Sequence, residues 1–128
     1  MNKFDLEEPL INFSVLILEI VGTMLDIKAV NHLSGQLLRS GTSPALNYGE
    51  AQSGESRKDF IHKLKIILKE LRESNINMKI IAPSKLYVSE AKIKSAMSEN
   101  NELISIFVKS IETASKNNEI KKSSIKNR

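Results

Sequence analysis

The chain has no cysteine and no tryptophan, and only 5 glycines and 3 prolines among its 128 residues. Without cysteine, a disulfide scaffold, a thiolate zinc site and thiol catalysis are excluded. An all-β protein, rich in tight turns, would need more glycine and proline. The lack of cysteine also fits a reducing compartment, and we expect a cytoplasmic protein.

The residues that are present are those of an ordinary folded domain. Apolar residues make up 41% and charged residues 27% of the chain, which is near the globular average, and the length suits one domain. The net charge of +4 is unevenly distributed. Residues 53–85 carry eight bases and four acids, and residues 115–128 carry five bases and one acid. Such local positive charge can attract phosphate, or it can simply form a solvated surface.

The longest apolar run, residues 10–25, is too short to span a membrane. A spanning helix needs roughly 20 apolar residues, and Glu19 interrupts this run in its middle. The preceding Asp5, Glu7 and Glu8 are acidic, whereas a signal peptide begins with basic residues. We therefore expect a core helix and no membrane association.

Hydrophobic periodicity predicts four helices, at about residues 8–28, 31–52, 57–81 and 89–114. Ser56 is expected to cap the third helix, Pro83 to close it, and Ser89 to begin the fourth. The short loops favour an all-α, antiparallel up-down-up-down four-helix bundle. We expect a flexible lead-in at 1–8, a bundle domain at 9–114, and a basic, disordered tail at 115–128.

Helices one and two each raise a question. Helix one is apolar around nearly its whole circumference, which predicts burial by the bundle and by a neighbouring subunit. Helix two contains Gly41 and Pro44. It either stops near Gly41 and restarts with Ser43 as its cap, or runs on with a kink at Pro44. The small Gly41 and Ala45 would let another backbone approach closely.

Helix three carries the most organised charge in the chain. Its apolar positions share one arc of the helical wheel, and its basic positions form a separate stripe about 120° away. This basic stripe is the candidate nucleic-acid-binding surface and consists of Lys58, His62, Lys65, Lys69, Arg72 and Lys79. Base-stacking platforms are not expected, because the phenylalanines of helices one, three and four occupy core faces.

The middle of the chain resembles a known family. The matching residues are Gln36-Leu37-Leu38-Arg39-Ser40-Gly41-Thr42-Ser43, then Asn47, Glu50-Ala51, Ser56-Arg57-Lys58-Asp59-Phe60, Lys69-Glu70 and Arg72-Glu73. They resemble the bacterial four-helix-bundle proteins of the 23S ribosomal RNA intervening-sequence family. The resemblance implies a left-handed antiparallel bundle and a ring-shaped homopentamer, and it transfers no catalytic residue. The segment Pro44-Ala45-Leu46 departs from the family, in which many members have Ile-Gly-Ala.

Polar residues on helices two and three form a second candidate cluster. We expect Arg39, Asn47 and Glu50 on helix two to meet Glu70 and Glu73 on helix three. Such a network, within a chain or between subunits, would fix the packing register. Because Lys69 and Arg72 stand beside Glu70 and Glu73, both carboxylates are expected to stay ionised.

No arrangement of residues indicates an enzyme. A di-iron bundle needs two Glu-x-x-His-type half-sites, and Asp59 with His62 supplies only one, because Ala29 precedes His32 at that spacing. Neither a nucleophile elbow nor a phosphate-binding glycine loop occurs. We therefore expect no metal, no cofactor, no small-molecule substrate and no catalysis.

The favoured function is an oligomeric bundle associated with ribosomal RNA or other structured RNA or DNA. The alternative is a protein–protein scaffold that does not contact nucleic acid.

Overall fold

The protein is a bundle of four helices. The structure, a computed structural model, describes residues 5–53, 56–87 and 89–126, with side chains described up to residue 117. The helices are α1 (Glu7–Gly22), α2 (Lys28–Gln52), α3 (Arg57–Ser84) and α4 (Glu90–Lys126), and the described ranges contain no strand. The predicted all-α class is confirmed.

Each helix packs against the next one in the chain, and α4 returns to pack against α1. The contacts between α1 and α2 run in opposite directions along the two helices. The Leu6 amide lies 3.4 Å from the Tyr48 hydroxyl, and the Ser14 hydroxyl lies 3.1 Å from the Gly41 carbonyl oxygen. These contacts establish an antiparallel α1–α2 pair, as expected for short connections.

The apolar faces of all four helices meet in one core. The predicted apolar arc of α3 lies inside it, with Leu64, Ile67, Leu71 and Met78 buried. Removal of such side chains from water is the main stabilising contribution to the fold. Within the described ranges, no helix combines the length and the apolar character needed to cross a bilayer. The largest fully buried side chains outside α3 are Phe13, Phe107, Leu10, Ile17, Leu37 and Ile93.

The first helix is shorter than predicted. It ends at Gly22, and α2 already begins at Lys28. The connection is held by local polar contacts, because the Thr23 hydroxyl donates to the Ile20 carbonyl and the Asn31 amide donates to Asp26 at 2.7 Å. Each contact involves a residue of the connection between α1 and α2, where the sequence predicts helix as far as about residue 28.

The second helix is continuous through Pro44, so of the two alternatives the single helix is correct. A proline ring removes one backbone donor and crowds the preceding turn, which weakens the bonding of nearby carbonyls. The Ser14 hydroxyl of α1 lies 2.9 Å from the Leu10 carbonyl and 3.1 Å from the Gly41 carbonyl, one turn before Pro44. Helix α1 thus makes a polar contact with α2 in the turn before Pro44, next to the Ser40 carbonyl whose helical donor the proline removes.

Helices α3 and α4 both extend beyond their predicted ends. Pro83 lies in the last turn of α3 rather than beyond it, and the helix ends at Ser84, with Lys85 in the left-handed region at φ 57°. Helix α4 continues to Lys126, although an end near residue 114 and a disordered tail were predicted. Extending an existing helix needs no new nucleation, which explains helix in such a polar segment. The division into bundle and tail domains at residue 114 stays a prediction.

The predicted cap at Ser56 is confirmed, and Ser89, which was predicted to begin the fourth helix, caps that helix in the same way. The Ser56 side chain accepts a hydrogen bond from the Asp59 amide at 3.1 Å, and the Ser89 side chain accepts one from the Lys92 amide at 3.2 Å. Each cap satisfies a backbone donor that has no partner within its helix. These caps fix where α3 and α4 begin, and the start of α3 sets where its basic residues lie.

Candidate nucleic-acid interface

Four of the five predicted polar-cluster residues meet between α2 and α3. Arg39 Nη2 lies 2.6 Å from Glu73 Oε2, and Arg39 Nη1 lies 3.8 Å from Glu70 Oε2. Asn47 Nδ2 donates to Glu70 Oε1 at 2.9 Å. The cluster therefore joins two neighbouring helices of one chain. The hypothesis that it fixes their register stays a prediction.

The fifth residue, Glu50, lies apart from this cluster. Its carboxylate pairs with Lys63 Nζ at 2.6 Å, nearer the connection between α2 and α3. Lys63 was not singled out from the sequence. An antiparallel α2–α3 pair could have indicated this contact, because the first turns of α3 lie beside the last turns of α2.

Burial raises the pKa of Glu70 above its ordinary value. Hydrogen bonds from Ser43 and Asn47 and the charge of Arg39 act in the opposite direction, but the desolvation of the carboxylate outweighs them. The cations beside Glu70 in the sequence therefore do not set the direction of its pKa shift, because burial outweighs the one cation that lowers the pKa, Arg39. Its side chain faces α2, away from the solvent-exposed Lys69 and Arg72, and burial dominates its environment.

More polar groups lie beneath the ion pairs. The Ser40 and Ser74 hydroxyls are 2.8 Å apart, and Asn77 Nδ2 approaches Ser40 Oγ at 3.5 Å. In α4, Asn100 is fully buried and donates to the Leu71 carbonyl at 2.9 Å. The polar residues around Asn100 do not interrupt α4, which is continuous here and turns this amide into the core.

The basic stripe lies on the outer side of α3. All six of its members are exposed to solvent. Arg39 and Lys63 form ion pairs, but within the described part of the chain no stripe residue forms one with a carboxylate. The positive charges of the stripe are consequently available to an external anion.

Part of the stripe borders an open groove of about 790 Å³. Two exposed isoleucines lie among the charges of the stripe. Ile76, which lines the groove, is 55% exposed, and Ile80 is 48% exposed. Sequence reasoning missed them, although Ile76 follows Arg72 by four residues and so shares its face. The groove is lined by Gln36 and Arg39 of α2 and by Lys65, Leu68, Lys69, Arg72, Glu73, Ile76 and Asn77 of α3.

A second surface, on α1, is apolar. Ile11, Val15 and Leu18 are 46%, 46% and 51% exposed and follow one another at spacings of four and three residues. Such spacing places them along one line of the helix. Within a single chain, α1 is therefore buried on one side, and the predicted cover from a neighbouring subunit stays a prediction.

Comparisons with known proteins agree with this architecture. A crystal structure from Bacteroides thetaiotaomicron VPI-5482, described as a protein of unknown function from the S23 ribosomal protein family, is similar with a TM-score of 0.75 and 27% identity. The similarity covers 83% of this chain and 97% of that chain. No curated protein matches. The model of the 23S rRNA-intervening sequence protein family matches residues 10–109, and the chain therefore belongs to that family.

Proposed function

We propose that the protein is a non-enzymatic, self-associating helical bundle that binds nucleic acid through the basic stripe of α3. The observation that carries the proposal is the contrast between the two kinds of cation on α2 and α3. Arg39 and Lys63 are neutralised by carboxylates, whereas the stripe cations have no such partner in the described residues. Exposed, unpaired cations are the groups that displace counterions from a phosphate backbone.

Self-association would multiply this charge. The family resemblance implies a homopentamer, in which a net charge of +4 per chain would become about +20. The exposed apolar line of Ile11, Val15 and Leu18 supports the proposal, because a second chain would remove these side chains from water. Five stripes on one particle would bind a long nucleic acid more tightly than one stripe does.

The polar cluster between α2 and α3 is assigned a structural role in this proposal. Arg39 is held by Glu73 and Glu70, so its charge is largely used within the fold. Glu70 is buried and faces α2 rather than the groove. We therefore place the function on the exposed face of α3 and assign no reaction to the cluster.

The proposal is tested by fluorescence anisotropy with the whole protein, using structured RNA, duplex DNA and single strands over a salt series. We expect the logarithm of the affinity to fall steeply and linearly with the logarithm of the salt concentration, because phosphate contacts release counterions. No binding at about 50 mM salt, or a slope near zero, would contradict the proposal.

A charge-reversed variant localises the contact. Lys65, Lys69 and Arg72 are replaced together by Glu, and the matched control replaces the α4 lysines Lys94, Lys109 and Lys116 by Glu. Both variants change the net charge equally. We expect the first variant to make the slope of log affinity against log salt concentration less steep by about 3. The control variant should make it less steep by less than about 1. Equal losses in both variants would mean that overall charge, not the stripe, causes binding.

The protein-scaffold alternative rests on the apolar line of α1. If that line binds a different protein, affinity purification should return one stoichiometric partner that survives nuclease treatment. A partner that disappears after nuclease treatment would instead be connected through nucleic acid. Sedimentation of a Val15→Asp variant separates self-association from both outcomes, since a charged residue on this line should reduce the mass of the oligomer.

A further inference from the structure

The basic stripe is not a purely electrostatic surface. Ile76 and Ile80 stand within it, and both are about half exposed although neither fills any part of the core. A phosphate backbone offers them no apolar partner. Lysines alone would suffice for phosphate contact, whereas the isoleucines add an apolar surface that a ligand with an apolar face can cover.

The groove beside them holds three chemical groups that a nucleotide can use. Lys65 and Lys69 supply unpaired positive charge for phosphate. Leu68 and Ile76 supply an apolar surface, and Gln36 supplies a carboxamide that both donates and accepts hydrogen bonds. Amides of this kind recognise the edges of bases.

Arg72 adds a planar group to the same groove. No carboxylate of the described residues pairs with it, unlike Arg39, whose guanidinium is held by Glu73. A free guanidinium plane can stack on the face of a base. The described core phenylalanines cannot take this role, since Phe13 and Phe107 are fully buried.

We infer that the groove between α2 and α3 binds nucleic acid whose bases are unpaired, with phosphates on Lys65 and Lys69 and a base against Ile76 and Arg72. This inference rests on the proposed function and names its substrate class. In a duplex the base faces are covered by their neighbours, so only the phosphates remain available to the groove. An unpaired strand can satisfy both the charged and the apolar parts of the site.

The test compares probes that all carry a chain of phosphates but differ in the access to their bases. A 12-nucleotide RNA without self-complementarity, the same RNA annealed to its complement, and inorganic polyphosphate are each titrated at the same salt concentration. We expect the single strand to bind about tenfold more tightly than the duplex, because base contacts add to the phosphate contacts. Polyphosphate should compete less well with the strand than with the duplex.

Ile76→Ser examines the apolar contact directly. Its matched control is Ile106→Ser, which removes an exposed isoleucine from α4, outside the groove. Because Ile76 is exposed, the variant should fold. We expect it to lower the affinity for the single strand about fivefold and to leave duplex and polyphosphate binding within about twofold. The control should leave all three unchanged.

Two results would overturn the inference while sparing the proposed function. The duplex could bind as tightly as the single strand with an equally steep salt slope, or Ile76→Ser could weaken all three probes alike. Failure of every probe to bind at about 50 mM salt would overturn the proposed function as well. Failure of the unpaired-strand inference and failure of nucleic-acid binding therefore give different results.

Discussion

Helix α3 carries similar residues on its two sides, with different surroundings. Ile80 and Ile81 are neighbours in the chain, yet Ile81 is fully buried and Ile80 is 48% exposed. Charged residues divide in the same way. Glu70 and Lys63 form contacts with α2, whereas Lys69, on the solvent-exposed side of α3, has no carboxylate partner among the described residues.

This difference between the sides shows that the surroundings of a residue, not its type, decide its role. The inward charges are part of the packing between α2 and α3, and their removal should change stability. The outward charges contribute little to the fold, since exposed cations add at most about 1 kcal/mol even when they are paired. They can therefore be exchanged with little effect on folding, which makes the two sides separable by experiment.

The largest expected effect comes from truncating the two neighbouring isoleucines. Ile81→Ala should lower the free energy of unfolding by about 3–4 kcal/mol, because it removes fully buried methyl groups and leaves a cavity. Ile80→Ala should lower it by less than about 0.5 kcal/mol, as is usual for an exposed position. Urea unfolding followed by circular dichroism measures both.

A large loss of unfolding free energy in Ile80→Ala would contradict the exposure of Ile80. It would mean that Ile80 is covered in solution, by another copy of the chain, and the loss should then depend on protein concentration. Repeating the unfolding at two concentrations, about fiftyfold apart, distinguishes a covered Ile80 from an exposed one.

The next effect concerns two glycines of α2, of which Gly41 packs against α1 and Gly49 has open space around it. A Cβ at Gly41 would lie 2.8 Å from Ile17 Cγ1 and 3.0 Å from Ile17 Cγ2, whereas a Cβ at Gly49 would meet nothing within 4 Å. Gly41→Ala should therefore destabilise the protein by about 1–2 kcal/mol, despite the better helix propensity of alanine. Gly49→Ala should stabilise it by up to about 1 kcal/mol.

Thermal unfolding of both variants measures this difference in sign. The control for the close contact is Ile17→Ala, which removes the two nearest of the three Ile17 atoms that the new Cβ would meet and leaves Ile17 Cβ at 3.2 Å. In that background Gly41→Ala should destabilise much less, and a double-mutant cycle reports the coupling. A destabilisation that persists undiminished in the Ile17→Ala background would place the cause elsewhere in the helix.

Much of the fold was predictable because its signals are local. Helical periodicity, the caps at Ser56 and Ser89 and the apolar arc of α3 each depend on residues within a few turns. The path of α2 through Pro44 was not settled by local rules, since it involves a hydroxyl from another helix, that of Ser14. The end of α4 at Lys126 was missed because the polar residues after 114 carry no clear helical periodicity, although helix propagation tolerates such residues.

The candidate site was only partly predictable. The stripe follows from the wheel of one helix, and all of its residues are exposed as expected. The groove involves two helices, so the position of Gln36 beside Ile76 required the α2–α3 register. The ion-pair partner of Glu50 was missed for the same reason. Glu50 was grouped with Arg39 by composition, but the antiparallel register brings it to Lys63 instead.

The smallest expected effect is the pH dependence of the inward side. Burial raises the pKa of Glu70 in the folded protein above its unfolded value of about 4.5, so between these two values the folded state binds more protons. Stability from this group is then fully present below pH 4.5 and is lost as the pH rises through the folded pKa. Glu70→Gln removes the titration and keeps the shape of the side chain.

The free energy of unfolding of the wild type, minus that of Glu70→Gln, should therefore increase as the pH falls from neutral toward 4.5. Subtraction cancels the carboxylates that lie away from Glu70, but not Glu73, which interacts with Glu70 and shares Arg39 with it. A difference that decreases on acidification would mean that Arg39 and Asn47 stabilise the carboxylate more than burial destabilises it. Carbon NMR titration of the Glu70 carboxyl, in which the resonance moves at the folded pKa, decides the sign independently of any unfolding measurement.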